Sequence, residues 1–219
     1  MLKEKIFTTL VCFFTVILVI SFSIGLPIYF RPFYYWQIDS LNLVEETGKS
    51  ETEIKAAYDD VLDFLTLPNK EFSTGSFKHS ESGMQHFEDC KMLFDLNLYV
   101  FIVSLVFVIA LNLLMHFGFI KFSKPFRRHY SFVCGIFTLL LFVGVGILIS
   151  LNFDAAFIVF HKLFFAGKEN WLFNPIADEI ILALPIEFFL NCAVLIGLSI
   201  ITICILMIVL NIKVKKTCK

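Results

Sequence analysis

Four uncharged, apolar runs constrain this chain more than anything else in it: Ile6 to Phe30, Leu96 to Ile120, Tyr130 to Phe153 and Phe188 to Ile212. A helix of about 20 residues crosses about 30 Å of hydrocarbon, and each run exceeds that length. One such run could be a buried core helix of a soluble protein. Four of them, in a chain that is 58% hydrophobic with 28 Phe, point instead to an all-α integral membrane protein with four transmembrane helices. The first run follows Lys3 and Lys5 and so resembles a signal peptide, but it continues past the usual 7–15 apolar residues into PIYFRPFYYW. It reads as a retained span, and residues 1–219 as a single membrane domain.

Net charge is only −1, and no nucleic-acid partner is expected, but the charge is unevenly placed. The segments before span one, between spans two and three, and after span four hold Lys3, Lys5, Lys121, Lys124, Arg127, Arg128, Lys213, Lys215, Lys216 and Lys219, with Glu4 their one acid. The remaining acids all fall in 31–95 and 154–187. Short basic segments stay in the cytoplasm. Both termini are therefore expected inside, and segments 31–95 and 154–187 outside.

Within 31–95, SETEIKAAYDDVLDFLTLP reads as a helix. Ser50 and Glu53 have capping-box spacing, Ile54, Tyr58, Val61 and Leu65 share one face, and Pro68 follows the end. Residues 69–80 read as a turn or short hairpin bending at Gly75. ESGMQHFEDCKMLFD then begins a helix that runs into span two. The aromatics Tyr29, Tyr34, Tyr35 and Trp36 read as interfacial anchors. Segment 154–187 is too apolar for an ordinary loop and too interrupted for further spans. It reads as a short helix, an irregular turn around GKENW, and a second short helix.

The spans contain no Asp, Glu, Lys or Arg, which argues against an ion-coupled transporter. Candidate chemistry therefore lies in the two acidic segments. His86 precedes Asp89 by three residues, so the two share a helix face and the carboxylate could fix the ring's tautomer. An exposed histidine with an incidental acidic neighbour fits the same spacing. His161 sits among Phe160, Leu163 and Phe164, where burial would shift its pKa, or where it could simply anchor the interface. No metal site is expected, because His79, His86, Asp89, His161 and Asp178 show no recognised ligand spacing. No serine nucleophile elbow, P-loop or C-x-x-C is present.

The stretch FHKLFFAGKENWLFNPIADEIILALPIEFF resembles the signature of the bacterial lipoprotein intramolecular transacylase family, Lit. The matching positions are His161, Phe164, Phe165, Asn170, Trp171, Phe173, Pro175, Asp178, Pro185, Phe188 and Phe189. An earlier family motif matches Ser80, Glu81, His86, Asp89 and Lys91. Ser82 and Gly83 stand where the family has Arg-Glu, and Phe87 where it often has methionine, so the chain resembles a divergent member.

The resemblance implies an enzyme of the bacterial cell membrane with no cofactor. Its substrate would be a diacylated lipoprotein lying in the outer leaflet among phospholipid. The sn-2 acyl chain would move from glycerol oxygen to the α-amine of the N-terminal cysteine, an O-to-N acyl transfer giving the lyso-form lipoprotein. His86 and His161 are the implied catalytic pair, with Asp89, Glu81, Asn170, Trp171 and Asp178 in support. In one assignment His86, oriented by Asp89, takes the amine proton and His161 donates to the oxyanion or leaving oxygen; the reverse is equally open. Lys162 and Arg31 are further candidate contacts. Two other readings remain open from the residues alone: a non-catalytic sensor or assembly protein using its acidic segment, and a metal-dependent membrane hydrolase.

Overall fold

The computed structural model describes residues 2–124 and 128–217, without the side chains of 213–217. Arg127 and Lys219, and the side chains of Lys213, Lys215 and Lys216, therefore lie outside the described residues. Among those described the chain is helical, with no strand. In order, the helices are α1 (Leu2–Tyr29), α2 (Pro32–Tyr35), α3 (Gln37–Ser40), α4 (Leu43–Thr47), α5 (Glu51–Thr66), α6 (Glu81–His116), α7 (Tyr130–Leu151), α8 (Phe153–Phe164) and α9 (Ile186–Thr217), with a 3-10 turn at Glu179–Leu182. Helices α1, α6, α7 and α9 are long and apolar enough to cross a membrane, as the four runs predict.

Helix α6 is 36 residues long, about 54 Å, well beyond what about 30 Å of hydrocarbon requires. Its apolar run begins at Leu96. Residues 81–95 precede that run and carry Glu81, His86, Glu88, Asp89, Lys91 and Asp95, so His86 stands on α6 ahead of the run.

The chain divides into two compact units. The first comprises Met1–Gly25, Asn97–Leu148 and Leu195–Lys219. Its helices are joined by small polar groups within apolar surroundings. Ser23 Oγ lies 3.0 Å from Ser199 Oγ, and Asn112 and the Tyr130 hydroxyl exchange hydrogen bonds at 2.9 and 3.0 Å. Gly135 approaches α9 closely enough that a Cβ would lie 3.1 Å from the Cys204 carbonyl oxygen. Small residues that let backbones approach are the usual device where hydrophobic burial cannot distinguish protein from lipid.

The second unit comprises Leu26–Leu96 and Ile149–Val194. Its core is built on α5, whose capping box at Ser50 and Glu53 forms as the spacing predicts. Ile54, Tyr58, Val61 and Leu65 are all buried. Lys91 donates to the Phe64 and Leu67 carbonyl oxygens at 2.6 and 3.0 Å, satisfying the end of α5, which has no basic residue of its own there. Arg31 pairs with Asp59 at 2.8 Å and with Asp63, so it is committed to holding α5 and is not a free contact for a ligand.

Two sequence expectations need correction, those for Tyr34 and for the second short helix of 154–187. Tyr34 is not an interfacial anchor: its ring stacks on Tyr58 at 3.8 Å, and its hydroxyl donates to the Ala183 carbonyl at 2.7 Å in the core. Trp36 is exposed, as an anchor would be. Residues 69–80 turn at Gly75 (φ +57°), the turn of the two readings, and the buried Thr74 donates to the Phe77 carbonyl at 2.7 Å. In 154–187 the expected first helix is α8, capped by Asn152, and the second is only the four-residue 3-10 turn.

Candidate functional site

All the site groups belong to the second unit. Helix α6 carries His86, Asp89 and Cys90, helix α8 carries His161, and the irregular segment 165–178 carries Lys168, Asn170, Trp171 and Asp178. The two histidines, 75 positions apart in sequence, face each other with ring centroids 5.7 Å apart. They are 5% and 7% exposed, far less than polar rings on a surface. Phe165 and Phe173 stand edge-on to His86 at 4.8 and 5.4 Å, and Trp171 lies 5.0 Å from His161.

Burial, and then the neighbouring His161, hold the His86 pKa down at about 4, against a weaker opposing pull from Asp89. Burial also lowers the His161 pKa, offset in part by its hydrogen bond to a backbone carbonyl. Both rings are therefore neutral at pH 7. The His161 tautomer follows from its partner. Nδ1 lies 2.7 Å from the Phe157 carbonyl oxygen, which can only accept, so Nδ1 carries the proton and Nε2 the lone pair. His86 is held differently: Nε2 lies 3.4 Å from Cys90 Sγ, and Nδ1 is buried without a hydrogen bond.

Asp89 does not bond to His86, contrary to the expectation from their spacing. It is 8% exposed and accepts from Lys168 Nζ at 2.5 Å and Asn170 Nδ2 at 3.0 Å. Burial alone would raise its pKa, but these two donors outweigh that and hold it below the usual carboxylate value. A cation and an amide from a distant segment out-compete a ring on the same helix, because a buried carboxylate needs charged or fixed donors. Asn170 keeps its Nδ2 turned to that acceptor, which leaves Oδ1 buried and unpaired. Among the described residues, His86 Nδ1 and Asn170 Oδ1 are the buried side-chain N or O atoms without a partner.

Asp178 is 4% exposed and structural in its bonding. Its carboxylate accepts from the Ser80 and Asn174 backbone N–H groups at 2.7 and 3.4 Å, tying segment 165–178 to the start of α6. Gly83 makes room for it: a Cβ there would lie 2.3 Å from Asp178 Oδ1. Trp171 donates its ring N–H to the Lys168 carbonyl at 3.0 Å, which folds the GKENW turn. Glu81 is exposed, bonded to Gln85 at 3.3 Å, and Lys162 is exposed too.

Lys168 and Cys90 are the site residues that sequence reading passed over. Cys90 stands one turn after His86, a spacing that could have shown it; nothing local marks Lys168 as the partner of Asp89. An open polar cleft of about 410 Å³ runs along Gln85, Glu88, Asp89, Lys168, Glu169 and Asn170. The described residues contain no cluster of three or more His, Cys, Asp or Glu able to hold a metal ion.

Comparison with curated proteins gives no match. Among solved structures, the chain is similar to the membrane-integral lipoprotein intramolecular transacylase Lit from Bacillus cereus, at 26% identity and a TM-score of 0.86, with 97% of each chain covered. Two structures of that protein in which one histidine is replaced, by arginine and by alanine, match at 26% identity with TM-scores of 0.81 and 0.80. They cover 98% and 97% of this chain and 94% of their own. Residues 9–189 match the family described as "Lipoprotein intramolecular transacylase Lit", and that match spans most of the sequence, including both histidines and the segment that pairs with Asp89: the chain belongs to this family.

Proposed function

We propose that this protein is a lipoprotein intramolecular transacylase that moves the sn-2 acyl chain of a diacylglyceryl group to the α-amine of the lipoprotein's N-terminal cysteine. The observation that carries the mechanism is the facing pair of neutral, buried histidines, one of which has its lone-pair nitrogen fixed by a backbone bond.

The amine nitrogen attacks the ester carbonyl, a C–N bond forms, and the C–O bond to glycerol breaks. The amine proton must leave and the glycerol oxygen must gain one, so no external donor is consumed. His161, with Nδ1–H held by Phe157, presents Nε2 as the base that takes the amine proton. His86 supplies the hydrogen bond that stabilises the carbonyl oxygen as it becomes an oxyanion. The protonated His161 then returns its proton to the leaving glycerol oxygen. Donor and acceptor sit on one residue of the substrate, so holding them in register is the enzyme's main contribution.

The supporting residues act by position. Asp89, locked by Lys168 and Asn170, fastens segment 165–178 to α6, and Asp178 fastens it a second time. The polar cleft beside Asp89 receives the lipoprotein's N-terminal end. The exposed Phe160, Leu163, Phe164, Leu172 and Ile176 meet the acyl chains. Because both rings are enclosed, the substrate displaces part of their aromatic cover as it enters. Charge distribution supports a site on the extracytoplasmic face with both termini inside.

The test uses a host that normally makes diacylated lipoproteins. The chain is expressed there, alongside His86→Ala and His161→Ala, and the N-terminal lipopeptide is fragmented in a mass spectrometer. Transfer leaves the total mass unchanged, so only fragments reveal an acyl group on nitrogen. The expected result is N-acylated lyso-form from the parent and diacylated lipoprotein from both variants. A parent that expresses well and leaves lipoproteins diacylated overturns the proposal.

A further inference from the structure

Cys90 lies one helical turn beyond His86 on α6, with Sγ 3.4 Å from His86 Nε2. The other ring nitrogen, Nδ1, is buried and unpaired. Groups facing this ring are Asp89 and Cys90 from α6, His161 from α8, and Lys168, Phe165 and Phe173 from the segment after α8. None but Cys90 is hydrogen-bonded to it.

The single contact decides which nitrogen carries the proton. If Nε2 carried it, the ring would donate to a thiol sulfur, a weak acceptor, and bury a bare lone pair at Nδ1. If Nδ1 carries it, the thiol donates to an imidazole lone pair, which is the stronger acceptor of the two, and Nδ1–H becomes an enclosed donor awaiting an acceptor. Burial, with Asp89 adding to it, pushes the Cys90 thiol up to about 12, so the sulfur keeps its hydrogen and has one to give.

We propose that Cys90 is a positioning residue: its S–H···Nε2 hydrogen bond holds His86 as the Nδ1–H tautomer, so that Nδ1–H meets the ester carbonyl oxygen as negative charge develops there. The two histidines then have opposite polarity. The carbonyl of Phe157 makes His161 present a lone pair, and the thiol of Cys90 makes His86 present a proton. The role of the donor rests on the transacylase reading; the tautomer does not.

Both halves can be measured on the intact protein. Long-range proton–nitrogen NMR of histidine-labelled protein in detergent micelles reports which ring nitrogen is protonated, with His86 assigned by its loss in His86→Asn. The expected result is Nδ1–H for His86 in the parent and in Cys90→Ser, and a shift toward Nε2–H in Cys90→Ala. With diacylated lipopeptide as substrate, Cys90→Ala should lose about tenfold or more in kcat with KM nearly unchanged, and Cys90→Ser should restore most of it. Nε2–H in the parent, or an unchanged tautomer in Cys90→Ala, overturns the proposal whatever the activity. An altered tautomer with unaltered kcat overturns the catalytic half. If the parent transfers no acyl group, the spectra still decide the tautomer, so the two failures can be told apart.

Discussion

The two units bury different kinds of polar group. Among the described residues of the first, the buried polar ones are Thr8, Thr15, Ser21, Ser23, Ser104 and Thr138, all hydroxyls. Several close onto their own helix: Thr15 donates to the Val11 carbonyl and Ser23 to that of Val19, at 2.7 and 2.8 Å. In the second they are Gln37, Thr74, His86, Asp89, His161 and Asp178, of which four can change charge. A hydroxyl can satisfy itself on the preceding turn and so tolerates a membrane-spanning helix. A buried carboxylate needs donors brought from elsewhere: segment 165–178 supplies Lys168 and Asn170 to Asp89, and the start of α6 supplies the Ser80 N–H to Asp178, whereas each imidazole has one partner on its own helix. The difference teaches that the first unit is built to be indifferent to its environment, whereas the second keeps ionisable groups under tension, which is what proton transfer requires.

The largest expected effect of breaking that pattern is on the chemistry. His161→Ala removes the lone pair fixed by Phe157 and should lower the transfer rate by about 10²–10⁴-fold, read by the fragment assay, with folding preserved in the thermal unfolding profile. In the parent the same base predicts an acid limb. Rate should fall with falling pH as His161 protonates, with a midpoint below the ordinary histidine value of about 6.5, because burial lowers that pKa. A midpoint above that value in the parent would mean another group is the base.

Next is stability against acid. The folded His86 holds its proton only below about 4, whereas the unfolded ring binds one near 6.5. The unfolded state therefore binds more protons between those values. Stability should fall as pH drops through that window, by up to about 3 kcal/mol, and His86 should add nothing further below it. Asp89, whose folded pKa is lowered, contributes stability that is lost only below about pH 4 and so does not mask the effect. His86→Asn should reduce the slope of unfolding temperature against pH, leaving the part due to His161, whose pKa burial also lowers; an unchanged slope would show that the His86 ring is not a sensor.

Gly83 gives a smaller and sharper test. Glycine to alanine inside a helix normally gains up to about 1 kcal/mol. Here the new Cβ meets Asp178 Oδ1 at 2.3 Å, and that carboxylate is tied to Ser80 N at 2.7 Å, so it cannot step aside freely. Gly83→Ala should cost about 1–3 kcal/mol. In an Asp178→Ala background the same change should cost less, leaving only the tight contact with Phe173 Cε1 at 3.1 Å. Equal costs in both backgrounds would mean that Asp178 does not press on the helix.

Much of this was legible because it is local. Hydropathy and length marked all four long helices, the Ser50–Glu53 spacing marked the start of α5, and ESGMQHFEDCKMLFD read as a helix running into the second span. His86 could be named for the acid three residues on, and His161 because an ionisable ring among phenylalanines is conspicuous. The partners were not legible, because they are chosen by packing. Asp89 reads as the companion of His86 at helical spacing, yet Lys168, 79 positions away, takes it. Tyr34 reads as an interfacial ring beside Trp36, and only the fold of α5 shows that it stacks on Tyr58. Gly83 reads as a departure from the family pattern, and its reason, the carboxylate of Asp178, comes from 95 positions later.

The smallest expected effect lies in the first unit and tests the comparison from its other side. Ser23 donates to the Val19 carbonyl at 2.8 Å, so toward Ser199, 3.0 Å away, its oxygen can only accept. Ser23→Ala removes that acceptor and leaves the Ser199 hydroxyl without it, but a serine in a helix can turn back to the carbonyl four residues earlier. The loss should be near the average of about 0.6 kcal/mol for hydrogen bonds between membrane helices, with the transfer rate unchanged. Unfolding in mixed micelles measures the first quantity and the fragment assay the second. A cost of about 3 kcal/mol or more, or a slowed reaction, would mean that the hydroxyl contacts are as demanding as the buried charges, and the contrast between the two units would not hold.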